Sequence, residues 1–217
     1  MKQLTRLLFR KALVPVAAFP TQLKQAIAAI NHVQSLGVKP QNIQLVGDSA
    51  GGNLILQVLA HLLHPLKYEN VPFLSLSAPL KGAYLMSPWV DLADIRGTLK
   101  RGDPTDMMTS STLRYWGVQS LKPVPKEYLG YIEANSARDD WWKGVDVFID
   151  RVLITAGREE CLKDEILRFS SVFEKFHSHV NMQEHDGIHD DPLFAVDIGE
   201  SAGGATDMII DWLQAGF

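Results

Sequence analysis

The sequence predicts an α/β fold, a mostly parallel sheet with helices on its faces, and three observations predict it. Short apolar runs at 43–46, 83–86 and 152–155 have the length and chemistry of buried strands, and 180–183 reads as a last strand. Longer segments with apolar residues three and four apart separate them, which is the spacing of crossover helices rather than hairpin turns. The run at 43–46 also passes at once into Gly47-Asp48-Ser49-Ala50-Gly51-Gly52, a strand–turn–helix junction.

The elements follow in order. Lys2, Arg6, Arg10 and Lys11 come without an acid and precede an apolar run over 12–19. Pro15 interrupts that run and no small-residue cleavage site follows, so a strand or an altered terminus is expected, with a targeting peptide as the alternative. Pro20 and Thr21 open a helix whose Leu23, Ala26, Ile27, Ile30 and Val33 share one face, and Gly37 stands where a C-terminal cap belongs. After the strand at 43–46 a leucine-rich helix is expected over 53–64. The strand at 83–86 runs into Ser87-Pro88-Trp89.

Periodicity then breaks between 98 and 144, where Trp116, Tyr128, Tyr131, Trp141 and Trp142 are set among turn residues. An insertion of this length between sheet strands is expected to be a lid. Core structure resumes with the strand at 152–155 and a helix whose buried stripe is Ile166, Phe169, Phe173 and Phe176. The strand at 180–183 and a closing helix over 206–213 complete it. The expected organisation is a core over 1–97 carrying the strand–turn–helix junction, a lid over 98–144, and the rest of the core over 145–217.

Composition narrows the classes of function. The 217 residues suit one compact domain, and 46% apolar with 21% charged is ordinary for a globular chain. A net charge of -4 provides no broad basic surface, so nucleic acid is not an expected partner. No apolar run reaches the length of a membrane-spanning helix. Cys161 is the single cysteine, which excludes an intrachain disulfide and a cysteine zinc cluster, and a cytoplasmic location is favoured.

The junction carries the chemistry. Gly47-x-Ser49-x-Gly51 between a strand and a helix lifts the serine hydroxyl above the sheet edge, and small neighbours relieve the strained turn. The N–H of Ala50, at the positive end of the helix, is placed to face a developing oxyanion. The alternative is a glycine-rich turn in which Ser49 or Asp48 merely caps the helix.

A serine hydroxyl needs an adjacent base, and the order expected for this junction is serine, acid, histidine. The loop leaving the strand at 152–155 holds Glu159, Glu160, Asp164 and Glu165. Glu160 is the expected acid, with Glu159 and Asp164 as rivals, while Asp164 and Glu165 suit the first turn of the next helix. Of seven histidines, His189 lies past the Gly187 break after the last strand, where a loop reaches toward Ser49. His185 reads as strand-terminal structure. The run His185, Asp186, His189, Asp190, Asp191 has metal-ligand chemistry but no second cluster of matching spacing, so neither metal nor cofactor is expected.

These residues resemble the hormone-sensitive-lipase-like branch of the α/β-hydrolase fold, especially fungal esterases related to steryl acetyl hydrolases. Gly47-Asp48-Ser49-Ala50-Gly51-Gly52-Asn53-Leu54 is similar to that branch's nucleophile elbow, and Phe19-Pro20-Thr21-Gln22-Leu23 to the segment before it. Ser87-Pro88-Trp89 resembles the end of its next core strand. Glu160-Cys161-Leu162-Lys163-Asp164-Glu165 resembles its acid segment, Asp-Pro-Leu-x-Asp-Glu, with glutamate in the acid's place. His189 matches the histidine, followed by Asp190-Asp191 where Gly-Phe is usual. The match runs from about Val14 to the C-terminus.

The resemblance implies hydrolysis of a small acyl ester of a hydrophobic alcohol, with Asp48, Trp89 and Trp116 as candidate substrate contacts. It also implies a His-Gly-Gly-Gly segment before the elbow to complete the oxyanion hole. No such segment occurs in these 217 residues, so the sheet is expected to be N-terminally shortened, with an open edge that a homodimer would cover. Two other functions fit: a degenerate hydrolase acting as a binding protein, and a lyase or cyclase on the same fold.

Overall fold

The computed structural model describes residues 6–7, 18–93, 106–138, 140–197, 199 and 204–217. Among the described residues five strands, β1 (Arg6–Leu7), β2 (Gln44–Asp48), β3 (Gly82–Met86), β4 (Val152–Gly157) and β5 (Val180–His185), form one sheet in the order β1-β2-β3-β4-β5. Every pair is parallel. Parallel neighbours need crossovers. They are made by segments containing α1 (Thr21–Ser35), α2 (Ala50–Leu63), α3 (Ser110–Leu121), α4 (Leu129–Ile132) and α5 (Lys163–Phe173), and α6 (Asp191–Asp197) and α7 (Gly204–Gln214) follow β5.

Side chains alternate across the pleat, and the two faces of the sheet bury different partners. Leu45, Ala83, Leu85, Val152, Ile154 and Ala156 face a large core built on Leu23, Ile27, Ile30, Leu59 and Phe169. Tyr84, Met86 and Leu153 face the other way, against Ile209, with Trp212 and Val46 beside them. Two covered faces explain why β3 and β4 read as unbroken apolar runs. β5, at an edge of the described sheet, has Val180 and Met182 half-buried, Asn181, Gln183 and Glu184 exposed, and His185 buried.

The predicted face of α1 matches that observed, its buried residues being Leu23, Ala26, Ile27, Ile30 and Val33, whereas α5 buries Ile166, Phe169 and Phe173 and ends before the half-buried Phe176. Gly37 follows with a φ of 89°, a left-handed geometry that favours glycine at this position. Several boundaries differ from expectation. α2 begins at Ala50 rather than 53, because packing of the turn overrides the poor helix propensity of Gly51 and Gly52. β4 and β5 run on to Gly157 and His185, since the two ladders pair to their ends.

Of the expected lid, residues 98–105 and 139 lie outside the described residues. α3 is capped by Thr109, whose hydroxyl accepts from Thr112 N–H at 3.2 Å. It packs so close to the strand-exit segment that a Cβ on Gly117 would lie 1.8 Å from the Leu92 carbonyl oxygen. The Trp142 ring meets Phe169 and Phe173 edge-on, with centroids 5.8 and 5.2 Å away, so this end of the segment belongs to the core under α5. Trp141 packs on His64 at 4.1 Å and on Tyr131 at 5.2 Å, tying the segment to the end of α2.

Candidate active site

The registers bring the candidate residues to one edge of the sheet. Asp48 pairs with Met86, Met86 with Thr155, and Gly157 with His185, so β2, β3, β4 and β5 all end on the same side. In parallel α/β sheets the carboxyl edge is where ligands bind. Ser49, Ser87, Glu160 and His189 all stand in loops leaving that edge.

Ser49 has φ 48° and ψ -111°, a backbone conformation rare for a residue with a side chain. Its N–H donates to the Met86 carbonyl at 2.9 Å, and its carbonyl accepts from Trp89 N–H at 3.0 Å. The turn is therefore fixed by main chain on both sides. Glycine is required next to it: a Cβ on Gly47 would lie 2.5 Å from both C and O of Gly51, and one on Gly52 would lie 2.8 Å from Pro88 Cβ. The Ser49 side chain makes no capping hydrogen bond to α2. Asn53, one turn into α2, donates to the carbonyls of Trp89 and Ile132, both at 2.8 Å, and so ties the elbow to α4.

Glu160 is almost fully buried, whereas Glu159 is exposed and Asp164 stands in the first turn of α5. Glu160 Oε2 accepts from Ser87 Oγ at 2.5 Å and from Gly157 N–H at 3.1 Å. Burial pushes this carboxyl up to about 7, with both hydrogen bonds opposing the rise and the Asp106 charge adding to it. The approach of the β4 exit to the histidine loop depends on Gly157, where a Cβ would lie 2.5 Å from the Gly187 carbonyl oxygen.

His189 is buried, with Nδ1 3.8 Å from Glu160 Oε2 and Nε2 3.3 Å from Asp190 Oδ2. Burial lowers its pKa, opposed by the Asp106 and Asp48 carboxylates, so the imidazole is held toward the neutral form that a general base needs. Asp190 is pushed up to about 8, first by burial and then by the charges of Asp48, Glu160 and Asp106. His185 ends β5 with its Nδ1 3.3 Å from the Asp186 carbonyl, and Asp186 pairs with Arg158. His185 is buried, whereas the Asp186 side chain is exposed.

Ser87 and Asp106 were not among the candidates read from sequence. Ser87 is fully buried with φ 42°, and its hydroxyl, besides binding Glu160, accepts from Asp190 N–H at 3.3 Å. The only signal for it was its place at a strand end in Ser87-Pro88-Trp89. Asp106 accepts from Cys161 N–H at 2.8 Å and His189 N–H at 3.3 Å, clamping the acid loop to the histidine loop. Nothing in its sequence neighbourhood marks it. Cys161 is buried and its thiol is raised above the usual range, chiefly by desolvation.

Of the candidate substrate contacts, Asp48 is exposed beside Ser49, Trp89 is buried, and Trp116 lies partly exposed on α3. Cavities of ≈ 520 and ≈ 500 Å³ lie elsewhere, one beside His61 and Tyr68 and the other beside Arg158 and Met208, and neither is lined by Ser49 or His189. Among the described residues no group of three or more His, Cys, Asp or Glu is arranged to hold a metal. No helix among them is long and apolar enough to cross a membrane.

A family model described as alpha/beta hydrolase fold matches residues 9–190. A protein of Schizosaccharomyces pombe, "Putative steryl acetyl hydrolase mug81", is 28% identical over 178 residues, 79% of this chain and 45% of that protein. The chain thus spans less than half the length of this curated relative. The structure of EstE1, a thermophilic carboxylesterase cloned from a metagenomic library, superposes with a TM-score of 0.70 at 25% identity, over 94% of this chain and 66% of that one. Carboxyl esterase 2 of Tuber melanosporum superposes with a TM-score of 0.64 at 24% identity, over 81% and 56% of the two chains.

Proposed function

This chain belongs to the α/β-hydrolase fold family, and on that premise we propose that it is a serine carboxylester hydrolase whose triad is Ser49, His189 and Glu160. The observation that carries the reading is the strained Ser49 at the β2–α2 turn, with buried Glu160 and His189 delivered to the same sheet edge by the loops after β4 and β5. Strain at a single non-glycine residue, held by main-chain bonds on both sides, is a device for presenting a side chain.

The steps follow the chemistry of such a triad. Ser49 Oγ attacks the ester carbonyl carbon as its proton passes to His189 Nε2. The carbonyl oxygen becomes an oxyanion facing the N–H of Ala50, one of the helix-start donors that lack an intrahelical partner. His189 then gives the proton to the departing alkoxide. Water, deprotonated by the same nitrogen, releases the acid from Ser49. Glu160 keeps the Nδ1 proton on its side of the ring and stabilises the imidazolium. The name of the S. pombe relative and the carboxylesterase structures support a small acyl ester of a hydrophobic alcohol as substrate.

A fluorophosphonate probe tests this, because it reports an activated serine in a single turnover. The expected result is one adduct on Ser49 in the folded protein, absent in Ser49→Ala and strongly reduced in His189→Ala. A folded protein that takes no adduct would instead fit a binding protein with the triad in outline, a second reading favoured by the 3.8 Å gap between His189 and Glu160.

A further inference from the structure

His189 has a carboxyl on each side of its ring, and the nearer one is on the wrong side for catalysis. Nε2, the nitrogen that must take the serine proton, is 3.3 Å from Asp190 Oδ2. Nδ1, which the acid should hold, is 3.8 Å from Glu160 Oε2 and has no hydrogen-bond partner. A gap of 3.8 Å is not a hydrogen bond. We propose, building on the hydrolase reading above, that Asp190 is a positioning residue: its carboxyl is the resting partner of His189 Nε2 and must swing away before the ring can serve Ser49.

The surroundings suit a side chain that moves on a fixed backbone. Asp190 N–H donates to Ser87 Oγ, and φ is 57°, so the main chain is pinned in a left-handed turn. The side chain is buried, yet Oδ1 has no partner, so little but His189 holds it where it is. Glu160, in contrast, is anchored by Ser87 and Gly157 and stays in place. Once Asp190 leaves, the ring need shift by less than an ångström to bond Glu160 through Nδ1, which turns Nε2 outward with its lone pair unoccupied.

Electrostatics point the same way. Asp48, Asp106, Glu160 and Asp190 all act on one another or on the imidazole at this edge. A buried imidazole between carboxyls settles toward the nearer one, and the Asp190 carboxyl at 3.3 Å competes for Nε2 whichever group carries the proton.

The test compares wild type, Asp190→Gly and Asp190→Asn for the rate of Ser49 modification by a fluorophosphonate, alongside the ¹⁵N chemical shift of His189 Nε2. Glycine suits the left-handed backbone, so Asp190→Gly is expected to stay folded, which a thermal melt checks. Its labelling rate is expected to rise by up to about tenfold, the worth of one buried polar contact between neutral groups. Asp190→Asn keeps a partner at Nε2 and is expected to remain slow. The Nε2 shift should move in Asp190→Gly. A folded Asp190→Gly that labels no faster than wild type, or whose Nε2 shift is unchanged, would overturn the proposal. If no form is labelled but the shift still moves, the contact is real and the hydrolase reading is what fails, taking the positioning role of Asp190 with it.

Discussion

Ser87→Ala removes a side-chain hydroxyl that joins the acid to the histidine loop. In the structure Ser87 Oγ donates to Glu160 Oε2 at 2.5 Å and accepts from Asp190 N–H at 3.3 Å, with no solvent to replace either bond. A hydrogen bond to a charged group is worth about 1.5–3 kcal/mol, so if that stabilisation is felt mainly where the imidazolium forms, kcat/KM falls about 10- to 150-fold. The direction of the pH effect is also set. The Ser87 bond lowers the Glu160 pKa, which burial has already raised to about 7, so its loss moves Glu160 further up. Glu160 must be ionised to hold the imidazolium, and the acid limb of the rate profile should move to higher pH.

The assay is p-nitrophenyl acetate hydrolysis from pH 5 to 9, run for Ser87→Ala and Ser87→Gly. Because Ser87 has φ 42°, glycine eases the backbone while lacking the hydroxyl. If both variants lose rate together and shift the limb, the hydroxyl is responsible. Wild-type rate and profile in Ser87→Ala, or recovery in Ser87→Gly alone, would refute the reasoning and leave Ser87 a backbone residue.

Three further outcomes are expected. Gly47→Ala places a methyl 2.5 Å from Gly51 main chain, where nothing can yield cheaply, so the soluble protein should lose several degrees in Tm and all probe labelling at Ser49. Trp142→Ala empties a fully buried site against Phe169 and Phe173 and should cost about 3–5 kcal/mol in urea unfolding, without altering the site chemistry. Glu133, raised to about 8 by burial and by Asp91, binds its proton more tightly folded than unfolded. Its stabilising contribution is complete below its unfolded value and lost as pH rises through about 8. Thermal melts of Glu133→Gln should therefore show a shallower decline between pH 5 and 8.5 than those of wild type, and an equal decline would contradict this.

Much of the architecture was legible because it follows from local rules. Strand and helix periods depend on which face is buried, and the five buried residues of α1 were predicted by spacing alone. The elbow was legible for the same reason: it is one contiguous turn, and its glycines answer contacts within a few residues, as Gly47 does with Gly51. Helix and strand ends were misjudged by two or three residues because ladder pairing and turn packing, rather than propensity, set them.

The sequence by itself determined the parallel α/β class, the place of Ser49 on its turn, and a short set of acids and histidines. Within that set the sequence preferred Glu160 and His189, and only the tertiary structure shows how they are placed. It buries Glu160 next to His189 while leaving Glu159 exposed, and it brings in Ser87 and Asp106 from segments 73 and 54 positions before Glu160. It also sets Asp190 against Nε2, the nitrogen the proposed reaction needs. The reason is physical. Chain spacing along one turn is encoded where the turn is written, but proximity between loops arises from strand register, and strand register is a property of the whole sheet.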